Sequence, residues 1–178
     1  SALAQYGPIN EWDTSNVTDM YALFSSTSND NIENFNDNIE NWNTSQVKSM
    51  NAMLAGLKLF NRPIGRWNTN KVTDMSDMFQ QAKSFNQPLK SWNTSSVTIM
   101  ANMFEYAKSF NQPLKSWNTN KVTNMYTMFY NAEYFNQDLS SWRPAITDKD
   151  YVNGFPCNSP LQHKSDFWPK SQPPNLFT

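Results

Sequence analysis

FNQPLKSWNTNKVTNMYTMFYNA, residues 110–132, is nearly a copy of what precedes it. Residues 85–107 read FNQPLKSWNTSSVTIMANMFEYA, and residues 60–82 read FNRPIGRWNTNKVTDMSDMFQQA. Tryptophans keep the period: Trp42, Trp67, Trp92, Trp117 and Trp142 fall every 25 residues. Trp12 precedes Trp42 by 30, so the first unit carries five extra residues, near 25–31. A fixed period in this range is the signature of a solenoid, in which no unit buries its apolar face alone.

Composition agrees with one repeat domain. At 178 residues, a stack of units is long enough to build a continuous core. A net charge of −1 with 16% charged residues gives no electrostatic case for nucleic acid or an anionic membrane surface. No apolar run approaches the roughly 20 residues needed to span a bilayer. A single cysteine, Cys157, excludes an internal disulfide framework, and a single histidine, His163, leaves no usual metal cluster. No cofactor is expected.

Six of the seven tryptophans, all nine methionines and nine of the twelve phenylalanines occupy repeat positions. Aromatics that recur at fixed phase read as core, so Trp12, Trp42, Trp67, Trp92, Trp117 and Trp142 are assigned to it. Only four glycines serve the chain, against 25 asparagines. Asparagine tolerates left-handed backbone and bonds its own main chain, so it is expected to supply the turns.

Two segments make up each unit. Val97, Met100, Met103, Phe104 and Ala107 are spaced 3, 3, 1 and 3, as on one face of a helix of about three turns. Thr94-Ser95 just ahead, like Thr14-Ser15, Thr44-Ser45, Thr69-Asn70 and Thr119-Asn120, reads as N-cap chemistry. The second segment, residues 110–117, carries an internal Pro113, which disfavours a continuous helix or a central strand. It reads as a turn plus a short extended piece. Stacked strands repeat at about 4.8 Å and helices at roughly 8–10 Å, so a stack of both must curve, with the helices on its convex side. The expectation is an α/β repeat solenoid: a curved stack of about five 25-residue coils, each with a short helix and a short extended segment.

Stacking also implies two asparagine rows, Asn36, Asn61, Asn86, Asn111 and Asn136, and Asn43, Asn68, Asn93 and Asn118 with Asp13 in the first unit. Stacked amides are expected to bond each other and the neighbouring backbone. Asn16, Asn43 and Asn93 also sit in N-x-S/T triplets. The ladder is favoured for Asn43 and Asn93, because Asn68 and Asn118 keep the amide without the triplet. Asn16 is the best acceptor if the protein enters a secretory pathway.

At the start, SALA ends in the small-x-small form of a signal-peptidase site, without an apolar segment ahead of it. Pro8-Ile9 matches Pro63-Ile64 in distance to the next tryptophan, so the sequence opens part-way through a repeat. Either a cap replaces the missing half or upstream sequence was removed. After Trp142 the motif breaks. The reading is therefore a repeat domain over residues 1–142, and a Pro-rich C-terminal cap and extended proline-aromatic arm over 143–178. The closing SQPPNLFT suits polyproline II.

The repeat, F-N-x-x-L-x-x-W-x-T-x-x-V-T-x-M-x-x-M-F-x-x-A, resembles the "domain of unknown function 285" repeat of BspA-like leucine-rich-repeat surface proteins. The resemblance covers about residues 7–142. It implies a leucine-rich-repeat-like right-handed solenoid and adhesion or protein interaction at the cell surface. It implies no catalytic residues, because the motif is structural.

Catalysis needs an activated nucleophile or paired acid and base groups at a pocket. His163 and Cys157 lie six residues apart in an irregular segment, and Asp74 and Asp77 have Ser49 and Ala52, or Asn124 and Thr127, as counterparts. No enzyme is expected. Tyr126, Tyr130 and Tyr134, four residues apart in the last unit, break the pattern of Ser76, Gln80 and Ser84, and Tyr106 neighbours them one unit back. Tyrosine is enriched at interfaces, so these four, with Phe167, Trp168 and Phe177 in the tail, are the candidate partner-binding residues; cover by the chain's own C-terminal segment is the alternative.

Two functions follow as expectations. The first is a non-enzymatic interaction or adhesion module, extracellular or on the cell surface. The second is a small peripheral structural subunit docked on the lumenal or external side of a membrane complex, in an organelle lumen after signal cleavage. In both the partner is another protein, with no nucleic acid and no membrane span in this chain.

Overall fold

A side chain that recurs every 25 residues meets its counterpart if each period returns the chain to the same place. The chain does so. The computed structural model describes residues 6–26 and 32–170. In it Trp92, Trp117 and Trp142 stack with ring centroids 6.3 and 6.1 Å apart and nearly parallel planes. Phe35, Phe60, Phe85, Phe110 and Phe135 form a second column at 5.9–6.1 Å. Phe79, Phe104 and Phe129 form a third at 5.3 and 5.5 Å. Offset stacking adds about 0.5–1.5 kcal/mol per pair beyond area burial. Val, Met and Leu at the repeat positions between these columns are fully buried, for example Val97, Met100, Met103 and Leu114. The result is a repetitive, irregular stack with little regular secondary structure.

The expected helix at residues 97–107 is absent; these residues form consecutive turns. Met103 N–H donates to Met100 O at 3.4 Å, Glu105 to Asn102 at 3.0 Å and Ala107 to Phe104 at 3.0 Å, each closing a turn. The alternate donors, Asn102, Phe104 and Tyr106, reach the carbonyls of Tyr126, Met128 and Tyr130 in the next repeat at 2.8–2.9 Å. Asn102 and Tyr106 both have φ of 55°, which breaks any helix. The physical reason is spacing. Rings about 6 Å apart and direct backbone bonds between repeats leave no room for helices, which pack at roughly 8–10 Å. Three-residue turns place every third residue inward, so the apolar spacing fits both structures.

Three further expectations change with it. Short extended segments are not seen as strands among the described residues; only single parallel bridges join Asp19, Ser49, Asp74, Ile99 and Asn124 in succession. With no helix to cap, the threonines serve between repeats: Thr44, Thr69 and Thr94 donate their hydroxyls to the carbonyls of Asn68, Asn93 and Asn118 at 2.9–3.0 Å. The first asparagine row is a ladder, in which Asn61, Asn86, Asn111 and Asn136 each donate a backbone N–H to the preceding amide Oδ1 at 3.0 Å. The second row is not. Asn43, Asn68, Asn93 and Asn118 accept from the N–H two residues on, closing their own turns at 3.0–3.1 Å.

Past Trp142 the motif stops but the backbone ladder continues. Met125, Thr127, Phe129 and Asn131 donate to the carbonyls of Tyr151, Asn153, Phe155 and Cys157 at 2.8–3.0 Å. Residues 149–158 are thus a degenerate further pass, with Val152 and Phe155 buried in place of Met125 and Met128. Short 3-10 turns at Pro160–His163 and Ser165–Phe167 then lie over the last tryptophan pass. The insertion at 27–31 and the arm at 171–178, with Phe177, lie outside the described residues.

Candidate interaction surface

The repeat core is complete without tyrosine, so tyrosine has to be explained by the surface. Tyr126 sits in register with Ser76 and Ala101, Tyr130 with Gln80 and Glu105, and Tyr134 with Ser84 and Ser109. Tyr126 and Tyr134 are exposed, the latter at 66%. Tyr130 is half-buried, and the Tyr106 ring meets it edge-on with centroids 5.7 Å apart. The turn ladder fixes this meeting, because Tyr106 N–H donates to Tyr130 O at 2.8 Å.

Tyr106 is the unusual member. Its register, four residues past one left-handed position, is itself left-handed: Gly56, Gln81, Tyr106 and Asn131 have φ of 76°, 58°, 55° and 53°. Glycine and asparagine suit that conformation, whereas a bulky ring there is an outlier. Its ring is 37% exposed. It lines a shallow groove of about 470 Å³ with Gln81, Asn131, Lys83, Lys108 and Glu133. Lys108 and Glu133 form an ion pair along one side. The groove thus offers an aromatic edge flanked by two amides and by charges of both signs.

Sequence reading reached the tyrosines but not their polar neighbours. Gln81, Lys83, Lys108, Asn131 and Glu133 looked like ordinary variable positions. A signal was present in Gly56, one of four glycines, which marks the left-handed register that Tyr106 occupies.

Two tail residues go elsewhere. Phe167 and Trp168 are half-buried and pack against the core. Phe167 O accepts from Leu139 N–H at 2.8 Å, Lys170 N–H donates to Trp142 O at 3.1 Å, and Trp168 Nε1 donates to Leu161 O at 2.7 Å. Covering the last tryptophan layer excludes water from it. Trp12 also departs from expectation. It is 38% exposed, against 3% for Trp92; among the described residues its outer side meets only the edge of Tyr6. Trp42, Trp67, Trp92, Trp117 and Trp142 are buried.

Among the described residues no group of three His, Cys, Asp or Glu is placed to hold a metal ion, and no helix is long and apolar enough to cross a membrane. Burial, opposed by the Asn102 amide and reinforced by the nearby Asp74 charge, pushes the Asp77 carboxyl above its ordinary range. Asp77 Oδ1 accepts from Asn102 Nδ2 at 2.9 Å, in a polar row that Thr127 continues. This row runs along the left-handed positions and braces the stack.

No curated protein and no solved structure matches the chain. A family profile described as "Mycoplasma protein of unknown function, DUF285" matches residues 2–98 and again 63–156, the second match ending within the degenerate pass. The two matches overlap and together span most of the sequence, as a repeat motif does when it can be laid on the chain in more than one register, and the chain belongs to that family.

Proposed function

We propose that the protein is a non-enzymatic protein-interaction module whose contact surface centres on Tyr106, with Tyr130, Tyr126 and Tyr134 around it. The observation that carries this reading is the left-handed backbone of Tyr106. A side chain there costs roughly 1–2 kcal/mol relative to ordinary backbone, and Gly56 and Asn131 are gentler solutions at the same register. Local strain is retained at functional sites when something other than stability selects the residue. Tyrosine offers rigid contact area with a polar tip, the chemistry of a protein interface.

We infer further that the stack is a BspA-like, leucine-rich-repeat-type solenoid of a secreted or surface protein with an adhesive role. The motif's resemblance supports that reading, as does the exposed Asn16, available as a glycan acceptor.

The test separates fold from function by sign. Tyr106→Asn relieves the backbone and should raise the melting temperature by a few degrees, on the order of 1 kcal/mol. The same variant, and Tyr134→Ala, should lose the protein captured by the wild type from its native source. Equal capture by wild type and both variants, or a lower melting temperature for Tyr106→Asn, would overturn the reading.

A further inference from the structure

Asn153-Gly154 is the chain's one Asn-Gly pair. It takes the ladder register of Asn51-Ala52, Ser76-Asp77, Ala101-Asn102 and Tyr126-Thr127. In each earlier pair the second residue is left-handed, with φ of 53°, 57°, 55° and 45°, and Gly154 follows at 67°. The N–H groups of Ala52, Asp77, Asn102 and Thr127 donate to the carbonyls of Ser76, Ala101, Tyr126 and Asn153 at 2.8–3.0 Å. The Gly154 N–H reaches no acceptor among the described residues.

The two asparagines of this register differ in the same way. Asn51 is half-buried, and its Nδ2 donates to Asp74 Oδ2 at 3.2 Å and to Ser76 Oγ at 2.7 Å. Asn153 is exposed, and its amide makes no hydrogen bond among the described residues. Glycine is required beside it. The backbone is left-handed there, and a Cβ on Gly154 would lie 2.8 Å from Thr127 Cγ2. So the fold demands the one residue type that leaves the following nitrogen unhindered. A side-chain amide and an unbonded backbone N–H therefore stand next to each other, both open to water.

We propose that Asn153-Gly154 is a self-modification site, at which the folded protein converts Asn153 to aspartate and isoaspartate with water as the only co-reactant. The Gly154 nitrogen gives its proton to hydroxide and attacks Asn153 Cγ. The Cγ–Nδ2 bond breaks, and ammonia leaves with a proton from water, closing a five-membered succinimide. Water then opens the ring at either carbonyl. Cleavage at Cγ gives aspartate; cleavage at the former main-chain carbonyl gives isoaspartate, whose main chain runs through Cβ and Cγ. Nothing is oxidised or reduced. The isoaspartate branch acts on the fold, because the carbonyl that accepts the Thr127 N–H at 3.0 Å becomes a carboxylate outside the main chain. The last rung of the ladder at Thr127 is thereby lost.

The test incubates the full chain at mildly alkaline pH, folded and in urea, and maps the products by mass spectrometry that separates aspartate from isoaspartate. Ala52→Gly serves as the matched control, since it writes the same dipeptide into a closed rung whose φ of 53° suits glycine. Asn153 should convert in both conditions, with ammonia released in equal amount. In the Ala52→Gly chain, Asn51 should convert in urea and stay intact in the folded protein. Asn153→Gln should abolish the conversion at an unchanged melting temperature, because the longer side chain cannot close the five-membered ring and the native one makes no bond to lose. In the isoaspartate fraction, hydrogen exchange should show protection lost at the Thr127 amide and kept at Asn102. Conversion of Asn153 in urea alone overturns the proposal, as does conversion of Asn51 in folded Ala52→Gly as fast as that of Asn153. Undiminished ammonia release from Asn153→Gln overturns the assignment, and unchanged protection of Thr127 in the isoaspartate fraction overturns its effect on the ladder.

Discussion

Trp92 and Trp12 share a repeat position and differ in what covers them. Trp92 is buried between passes, its ring 6.3 Å from Trp117 and its Nε1 donating to Ile64 O at 3.1 Å. Trp92→Ala should cost about 3–5 kcal/mol as a buried aromatic truncation, while Ile64 O keeps the Trp67 N–H at 3.2 Å. Trp12→Ala should cost clearly less in the same denaturant titration, because Trp12 is already partly in water; equal losses would mean the interior rings do not hold the stack. Asp77 gives a pH test. Its folded-state carboxyl is held above the ordinary value by burial, so its favourable contribution is present below about pH 4 and lost as pH rises. Asp77→Asn should therefore melt higher than the wild type at pH 7, and the difference should shrink as the solution is brought below pH 4. A difference independent of pH would assign the gain to left-handed backbone preference alone. Both residues were legible in part: the tryptophan from its period, whereas the burial of Asp77 depends on Asn102 one pass away.

The element scale is where sequence and structure part. Met100, Met103, Phe104 and Ala107 face inward as their spacing demands, yet the backbone that turns them inward is a chain of turns. Periodicity reports which residues face the core, and it does not report where the N–H groups go. In a helix all would be spent four residues back; here every second one is spent on the next pass. The clue lay in the left-handed formers, Gly56, Asn102 and Asn131, four residues apart or in register with one another. The same argument explains the threonines, whose hydroxyls have carbonyls across the stack to serve once there is no helix N-terminus to cap. A direct consequence is spectroscopic. Far-ultraviolet circular dichroism of the folded chain should lack the helical double minimum and sharpen no helical signal on cooling. A helical spectrum that melts cooperatively with the tryptophan fluorescence would contradict the turn ladder.

At the scale of the whole molecule, each pass touches only its neighbours, so stability is a sum of pass and interface terms and the ends are the weak points. The ends here are unequal. The forward end is closed by residues 149–170, with Leu161 fully buried and Phe167 and Trp168 packed on the last layer. Asn136 Oδ1, last acceptor of its row, is buried there without a hydrogen-bond partner among the described residues. Toward the first pass the carbonyls of Asp19, Tyr21 and Leu23 accept no backbone N–H among the described residues. Opening should therefore begin at the first pass. In native-state hydrogen exchange the amides of Met20, Ala22 and Phe24 should exchange well before those of Phe79, Phe104 and Tyr106, although all are bonded to the following pass in the same way. Gln162→Ala should leave that order intact at the first pass while speeding Asn158 and its neighbours, because it frees the donor that Gln162 now occupies. Uniform exchange along the ladder would show that the stack opens as one cooperative unit.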